Sequence, residues 1–276
     1  MCRLLGWAGR EPLTVAEALG DRELDAFTAL SRQHADGWGM AWWAVDGNGD
    51  PRAPAIEHST TTAADDPRFA MLTTTAAGDC GLVHMRWATH GLPIVPANTH
   101  PFTHGQWTFA HNGAIHPQER WDEILPSAWI PQMRGTTDSE RYFLAIVARL
   151  DGGDTVHEAV ASVVQHLFAD LNPTSLNAML LTPDALFVIS AHDPTRVPSL
   201  SQTSGGTSQS SQPDTAFYDL RYRNRADSIV VASSGFPQRA GDGWEPLANM
   251  TLLRIERGTL ASSTIPLTGS SVPLGS

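Results

Sequence analysis

The sequence predicts an α+β fold of layered antiparallel sheets, and three observations predict it. Short apolar runs rich in β-branched and aromatic residues recur from one end to the other, too many for a helical bundle. Two of these runs flank Thr182-Pro183-Asp184, whose turn chemistry makes them a hairpin and so an antiparallel pair. Helical signals come as a consecutive pair with strands before and after, which is not the strand–helix–strand alternation of a parallel sheet.

In chain order, the strand-like runs are residues 3–8, 39–45, 81–86, 107–111, 176–181, 185–190, 228–232 and 251–255. Alternate residues of a strand face opposite ways, so the neighbouring Trp42 and Trp43 are expected to serve two different layers. Helix starts are marked by capping boxes, in which a Thr hydroxyl takes the N–H three residues on and a Glu there returns the bond. Three such pairs occur: Thr14 with Glu17, Thr137 with Glu140, and Thr155 with Glu158. The second opens a helix with Phe143, Ile146, Val147 and Leu150 on one face, and the third carries Val156, Val160, Val163, Val164 and Leu167 at helical spacing. Asp151-Gly152-Gly153-Asp154 separates them, which gives an antiparallel helical hairpin lying on a sheet.

Residues 2–260 read as a single domain. Residues 195–214 are rich in Ser, Gln, Gly and Pro and read as a mobile insertion between strands of one core; residues 261–276 read as a loosely ordered tail. No internal repeat is visible.

Composition narrows the function. An apolar fraction of 41% with 17% charged residues is that of a folded globular chain. The net charge of -11, with Lys and Arg spread singly, argues against nucleic acid as a partner. Two cysteines, Cys2 and Cys80, are too few for a disulfide framework. The first residues contain no signal-peptide stretch before Arg10 and Glu11, and the apolar segment 178–191 is broken by Pro183 and Asp184, well short of a membrane span. Lipidation of Cys2 would need an apolar leader that is not seen here. A cytoplasmic protein without membrane partners is expected.

Four places can carry chemistry. Cys2 follows Met1, which aminopeptidases remove when the next side chain is small. The exposed residue would then combine a thiol with an α-amine of pKa roughly 7.7 to 8.0, a nucleophile and a base in one residue. It can equally be a small hydrophobe opening a buried strand. Arg86, in the segment Arg86-Trp87-Ala88-Thr89-His90-Gly91 at a strand end, can offer its planar fork to a carboxylate, or form an ordinary ion pair. Asn112-Gly113 ends another strand and is either a turn or two donors for an oxyanion. Thr137-Asp138-Ser139-Glu140 is at least a capped helix start with acidic residues favoured by the dipole.

The order and spacing of these segments carry more than any one of them. Cys2, then Asp36-Gly37-Trp38-Gly39, then Arg86 to Gly91, then Asn98-Thr99-His100-Pro101-Phe102, then His111-Asn112-Gly113, then Thr136 to Glu140, resembles the class II glutamine amidotransferases, the N-terminal-nucleophile type. The likeness runs by motif from Cys2 to about Glu140, and thereafter by strand and helix order. It implies a four-layer αββα sandwich of antiparallel sheets, the Ntn-hydrolase fold. It implies further that Cys2 is the nucleophile, that Asn112 and Gly113 form the oxyanion hole, and that Arg86 binds the α-carboxylate of a glutamyl group while Asp138 holds its α-ammonium. Trp87, Thr89 and His90 would shape the pocket. The chemistry asks for such a set independently, since a zwitterionic end needs one cation and one anion, and acyl transfer needs a nucleophile, a base and oxyanion donors.

The implied reaction is hydrolysis of a γ-glutamyl amide, glutamine or a conjugate, through a γ-glutamyl thioester, with no cofactor and no metal. His84, His90, His100, His104, His111 and His116 crowd one stretch, but Pro101 between His100 and His104 argues against a helical zinc pair. About one hundred residues follow the helical hairpin, enough to finish the sandwich and too few for a synthase domain. The likeness therefore points to stand-alone members of the family, including the γ-glutamyl hydrolases of ergothioneine synthesis. The alternative is a glutaminase subunit that passes ammonia to a separate synthase partner; a non-catalytic binding module on the same fold is a third reading. The polar stretches 59–79 and 195–214 can border the pocket on its leaving-group side, which favours a leaving group larger than ammonia.

Overall fold

The structure is a computed structural model that describes residues 2–44, 54–89, 91–117, 120–121, 124–196 and 216–267. Two antiparallel sheets lie face to face. The first has seven strands: β1 (Arg3–Leu13), β2 (Trp38–Trp42), β3 (Ala55–Ser59), β4 (Gly78–Met85), β9 (Leu220–Asn224), β10 (Ser228–Ser233) and β11 (Trp244–Pro246), in the order β11-β9-β10-β1-β4-β2-β3. The second has six: β5 (Phe102–His104), β6 (Trp107–Asn112), β7 (Asn177–Leu181), β8 (Ala185–Ser190), β12 (Thr251–Glu256) and β13 (Ser262–Pro266), in the order β13-β12-β8-β7-β6-β5. Helices α1 (Val15–Leu19), α2 (Asp21–Ala29) and α3 (Pro67–Thr75) cover the outer face of the first sheet, and α4 (Asp138–Asp151) and α5 (Val156–Asp170) cover the second. The result is the expected αββα stack.

Period-two alternation builds the layers. Along β1, Leu5 and Trp7 face α1 and α2, while Leu4 and Ala8 face the second sheet. Trp42 packs in the outer layer and Trp43 between the sheets, as their adjacency requires. Small side chains at Ala8, Ala41 and Ala110 let the sheets close on Leu82, Met179, Leu186 and Val188.

The β7–β8 hairpin turns as predicted, with the Thr182 N–H donating to the Ala185 carbonyl at 2.9 Å and the Ala185 N–H to Thr182 Oγ1 at 3.1 Å. Thr14 and Thr155 close full capping boxes. Thr137 closes half of one: its hydroxyl takes the Glu140 N–H, but Glu140 accepts instead from the Arg134 and Gly135 N–H groups at 2.7 and 2.8 Å. The acid is thereby diverted from its own helix to the loop that delivers the chain into it.

Two expectations change. The tail does not begin at residue 261, because Ser262–Pro266 pair with β12 as an edge strand; residues 268–276 lie outside the described part. Nor is the polar stretch 59–79 a continuous loop. After Ser59 it forms a 3₁₀ turn and α3, with Asp66 as N-cap, Pro67 in the first turn, and Phe69 packed on Trp38 at 5.1 Å between ring centres. Of the expected insertion at 195–214 only Thr195 and Arg196 are described, and the rest lies outside the described residues.

Polar links between the sheets stand at both ends of β4. Arg257, just after β12, grips Asp79 of β4 with Nε and Nη2, both at 2.9 Å, and its guanidinium lies 4.7 Å over the Trp43 ring. At the other end of β4, His84 Nε2 donates to the His111 carbonyl of β6 at 3.2 Å. Burial pushes the His84 imidazole down to about 3 from its usual 6.5.

Removing Asp79 leaves a mostly buried guanidinium unpaired, so Asp79→Ala should cost about 2 kcal/mol, below the range for a fully buried pair because this one is partly solvated. Equilibrium urea unfolding should show a lower midpoint at unchanged slope. For His84, the folded pKa lies below the unfolded one, so between pH 6.5 and about 3 the unfolded chain binds the extra proton and stability falls as pH falls. The thermal midpoint should drop through that window, and His84→Gln should flatten the part of the slope that this residue supplies.

Candidate active site

Cys2 directly precedes β1, and Arg3 stands opposite Met85 in the β1–β4 register, so Cys2 comes to rest beside the residues that leave β4. Its sulfur accepts from the Trp87 N–H at 3.4 Å, and its S–H faces the Trp87 carbonyl at 3.6 Å. The thiol is buried, and burial pushes its pKa above the ordinary range, while the Trp87 N–H and the Arg86 charge oppose that rise. Cys80, wholly buried between the sheets, is pushed far above the ordinary thiol range by desolvation.

The segment after β4 is held by the Asp36-Gly37 turn. Arg86 N–H donates to the Gly37 carbonyl at 2.8 Å, Asp36 N–H to the Arg86 carbonyl at 3.1 Å, and Ala88 N–H to Asp36 Oδ2 at 2.8 Å. Gly37 has φ +121°, and a Cβ there would run into the Ser59 carbonyl, so the turn requires glycine. The Arg86 guanidinium is buried and donates from Nη2 to the Pro93 carbonyl at 3.1 Å; Nη1 has no partner among the described residues. Burial disfavours its charge, and Cys2 and Asp36 offset that. Trp87 sets its ring edge to His34 at 5.5 Å, and Thr89 and Trp87 are partly exposed. His90 lies outside the described residues.

The second sheet brings Asn112 and Gly113 to the same end. His84 pairs with Leu4, two residues from Cys2, and bonds the carbonyl of His111, one residue from Asn112. Asn112 is fully buried, and neither its Oδ1 nor its Nδ2 has a partner among the described residues. A Cβ at Gly113 would overlap the Ser175 carbonyl oxygen, so only glycine lets the chain turn there.

Asp138, the first residue of α4, is buried and pinned from two sides: Ile115 N–H donates to Oδ2 at 2.7 Å and Ser139 N–H to Oδ1 at 2.9 Å. Its position at a helix N-terminus suits the negative charge. Asp138 is near enough to raise the Cys2 pKa by its field. Asn98 ties the flank together, donating to the Pro93 carbonyl at 3.2 Å and accepting from Thr136 N–H at 2.8 Å.

The sequence-predicted Cys2, Arg86, Trp87, Asn112, Gly113 and Asp138 are thus gathered at one end of the seam between the sheets. Sequence reasoning missed Tyr218, whose hydroxyl bonds Thr174 and which lies within the electrostatic reach of Cys2; burial pushes its pKa up to about 12. Thr174 Oγ1 accepts in turn from the Ala114 N–H at 3.0 Å, next to Gly113. Neither residue sits in a recognisable pattern. Asp36 was visible only as part of a turn. Among the described residues no cluster of three or more His, Cys, Asp or Glu side chains is disposed to hold a metal ion, and no helix is long and apolar enough to cross a membrane.

Comparison with known proteins gives the chain's family. The chain is 26% identical over 253 residues to a γ-glutamyl-hercynylcysteine sulfoxide hydrolase of Mycobacterium tuberculosis, covering 89% of this chain and 90% of that one. It is 36% identical over 117 residues to a glutamine–fructose-6-phosphate aminotransferase of Caulobacter vibrioides, covering 42% of this chain and 17% of that enzyme. Among solved structures, a glutamine aminotransferase class-II domain protein from Silicibacter pomeroyi has the same fold, with a TM-score of 0.61 at 17% identity over 96% of this chain and 99% of that one. The family model for class II glutamine amidotransferases matches residues 1–267, and the chain belongs to that family.

Proposed function

We propose that this protein is a cysteine-dependent amidohydrolase that cleaves γ-glutamyl amides, with Cys2 as nucleophile and a conjugate bulkier than glutamine as its substrate. The observation that carries the reading is the set of buried polar groups left unpartnered around one thiol. Asn112 Oδ1 and Nδ2 and Arg86 Nη1 are buried without partners among the described residues, beside Cys2 and a buried Asp138. Burying an unpaired polar group costs about 1–3 kcal/mol, so such atoms are tolerated where a ligand completes them.

In this reading Arg86 takes the α-carboxylate and Asp138 the α-ammonium of the glutamyl end, with Trp87, Thr89 and His90 around it. Removal of Met1 frees the Cys2 α-amine, which accepts the thiol proton. The thiolate attacks the γ-carbonyl carbon while Asn112 Nδ2 and the Gly113 N–H donate to the oxyanion. The C–N bond then breaks, the amine leaves with the proton held by the α-amine, and a γ-glutamyl thioester remains. Water, deprotonated by the same amine, attacks the thioester and releases glutamate and the thiol. The mycobacterial relative's name supports a large leaving group, and its match extends over nearly the whole of both chains. Action within the cytoplasm, with no cofactor, belongs to the same proposal. A single domain that runs from residue 2 through β13, with an insertion at 195–214, does as well.

A second reading, ammonia donation to a separate synthase, draws on the match to the aminotransferase. Comparing kcat/KM for glutamine with a panel of γ-glutamyl amides separates the two: the hydrolase reading requires a conjugate to be preferred, and a preference for glutamine supports the other. Cys2→Ala should abolish glutamate release with the fold intact, while Cys80→Ala should leave activity unchanged. Asn112→Ala should lower kcat on the order of 10²-fold or more. Intact mass should show the active protein beginning at Cys2. Residual turnover in Cys2→Ala would end the proposal.

A further inference from the structure

The reaction as proposed leaves the buried imidazoles of His84, His100 and His111 without a part. Of these, His111 has both ring nitrogens engaged, Nε2 with the Ser175 carbonyl at 2.9 Å and Nδ1 with Ser139 Oγ at 2.9 Å. A carbonyl can only accept, so Nε2 carries the proton; Nδ1 is then bare and accepts from the Ser139 hydroxyl. Burial, the largest influence on its pKa, favours this neutral form. One ring therefore joins β6, the second residue of α4 and the residue leading into β7.

These attachment points have a common feature. His111 immediately precedes Asn112 and Gly113, and Ser139 immediately follows Asp138, whose Oδ1 the Ser139 N–H holds at 2.9 Å. The imidazole is thus a short rigid span between the two groups that, in the proposed function on which this inference rests, hold opposite ends of one substrate. A further link between them is the bond from the Ile115 N–H to Asp138 Oδ2, reached through the connecting segment 113–115. A glutamyl group bound in one rotamer has a set distance from its α-ammonium to its γ-carbonyl, so an error in the spacing of Asp138 and Asn112 displaces the carbonyl from its donors or forces another rotamer.

We propose that His111, locked by Ser139, is a positioning residue that sets the distance between the Asp138 anchor and the oxyanion donors Asn112 and Gly113. The anchor itself keeps its two main-chain bonds when Ser139 loses its hydroxyl, so binding of the glutamyl end survives while the bound carbonyl is misaligned. Misplacement of about 1 Å in such a site can cost on the order of 10²-fold in rate.

Ser139→Ala should therefore lower kcat about tenfold or more and change KM by less than about threefold, with the folded protein confirmed by its thermal midpoint. A role in stability alone would lower the midpoint and leave kcat per folded molecule unchanged. Two replacements of His111 separate its bonds: His111→Asn keeps an acceptor near Nδ1, and His111→Gln keeps a donor near Nε2. Adding Ser139→Ala should cost further in His111→Asn and nothing further in His111→Gln. An active wild type with unaltered kcat in Ser139→Ala overturns the positioning role alone. A wild type that releases no glutamate overturns the function beneath it.

Discussion

The candidate site exists because β4 and β6, strands of different sheets, are held at one fixed apposition where their ends meet. The 3.2 Å bond from His84 Nε2 to the His111 carbonyl fixes it. Apolar packing between sheets is strong but non-directional, and an inner layer made mostly of alanine, leucine, valine and isoleucine does not by itself fix the register of one sheet on the other. A hydrogen bond inside that layer does, because breaking it strands a buried carbonyl and a buried imidazole at about 1–3 kcal/mol apiece. Arg257 on Asp79 does the same at the far end of β4. With both ends of one strand pinned to the opposing sheet, Cys2 just before β1 and Asn112 at the end of β6 inherit a defined separation.

A site built this way is braced on every side except where its polar atoms point inward. Asp36 holds the Arg86–Ala88 segment by main-chain bonds, Glu140 holds the loop entering α4, Asn98 joins the two, and Ile115 and Ser139 hold Asp138. Against that bracing, the unpartnered Asn112 amide and Arg86 Nη1 stand out as donors fixed before any ligand arrives. Preorganised donors in a dry site stabilise a developing charge without reorganising at the moment of reaction, and this is worth more there than in water. The cost is carried by the fold, through the buried unpaired groups it must tolerate.

Much of this was legible in the sequence, and the failures have physical reasons. Central strands such as 185–190 were found because burial on both faces leaves an uninterrupted apolar run. The missed strands β3, β5, β9, β11 and β13 are short or lie toward the sheet margins, where one face or edge is wet and the pattern dissolves into polar residues, as in Leu220–Asn224 with its two arginines. Helix α3 was hidden because its three consecutive threonines read as loop, and only the Asp66-Pro67 start carried a helix signal. The candidate site residues from Arg86 to Asp138 were picked out together because they lie in the segments that carry the family resemblance. Asp36 and Ser139 stood inside those motifs without their bonds being inferable, since main-chain bonds from Ala88 and side-chain bonds to His111 depend on tertiary placement.

Tyr218 was missed for a different reason, and that reason bears on what the family resemblance can and cannot carry. The groups proposed to hold the glutamyl end come from 86–138, where sequence and structure are tightly coupled by close packing and turns that demand glycine. The opposite flank is made by Thr174 and Ser175 before β7 and by Phe217 and Tyr218 before β9, segments brought in by strand pairing and tied down by Arg3, which donates to the Phe217 carbonyl at 3.1 Å and stacks on its ring at 4.1 Å. Nothing local in the sequence marks them. In an acyl transfer whose acyl half is constant and whose leaving half varies, the constant half imposes a recurring pattern and the variable half does not. On the function proposed above, the motifs that carry the family resemblance therefore bear on the glutamyl half of the substrate rather than on its leaving group.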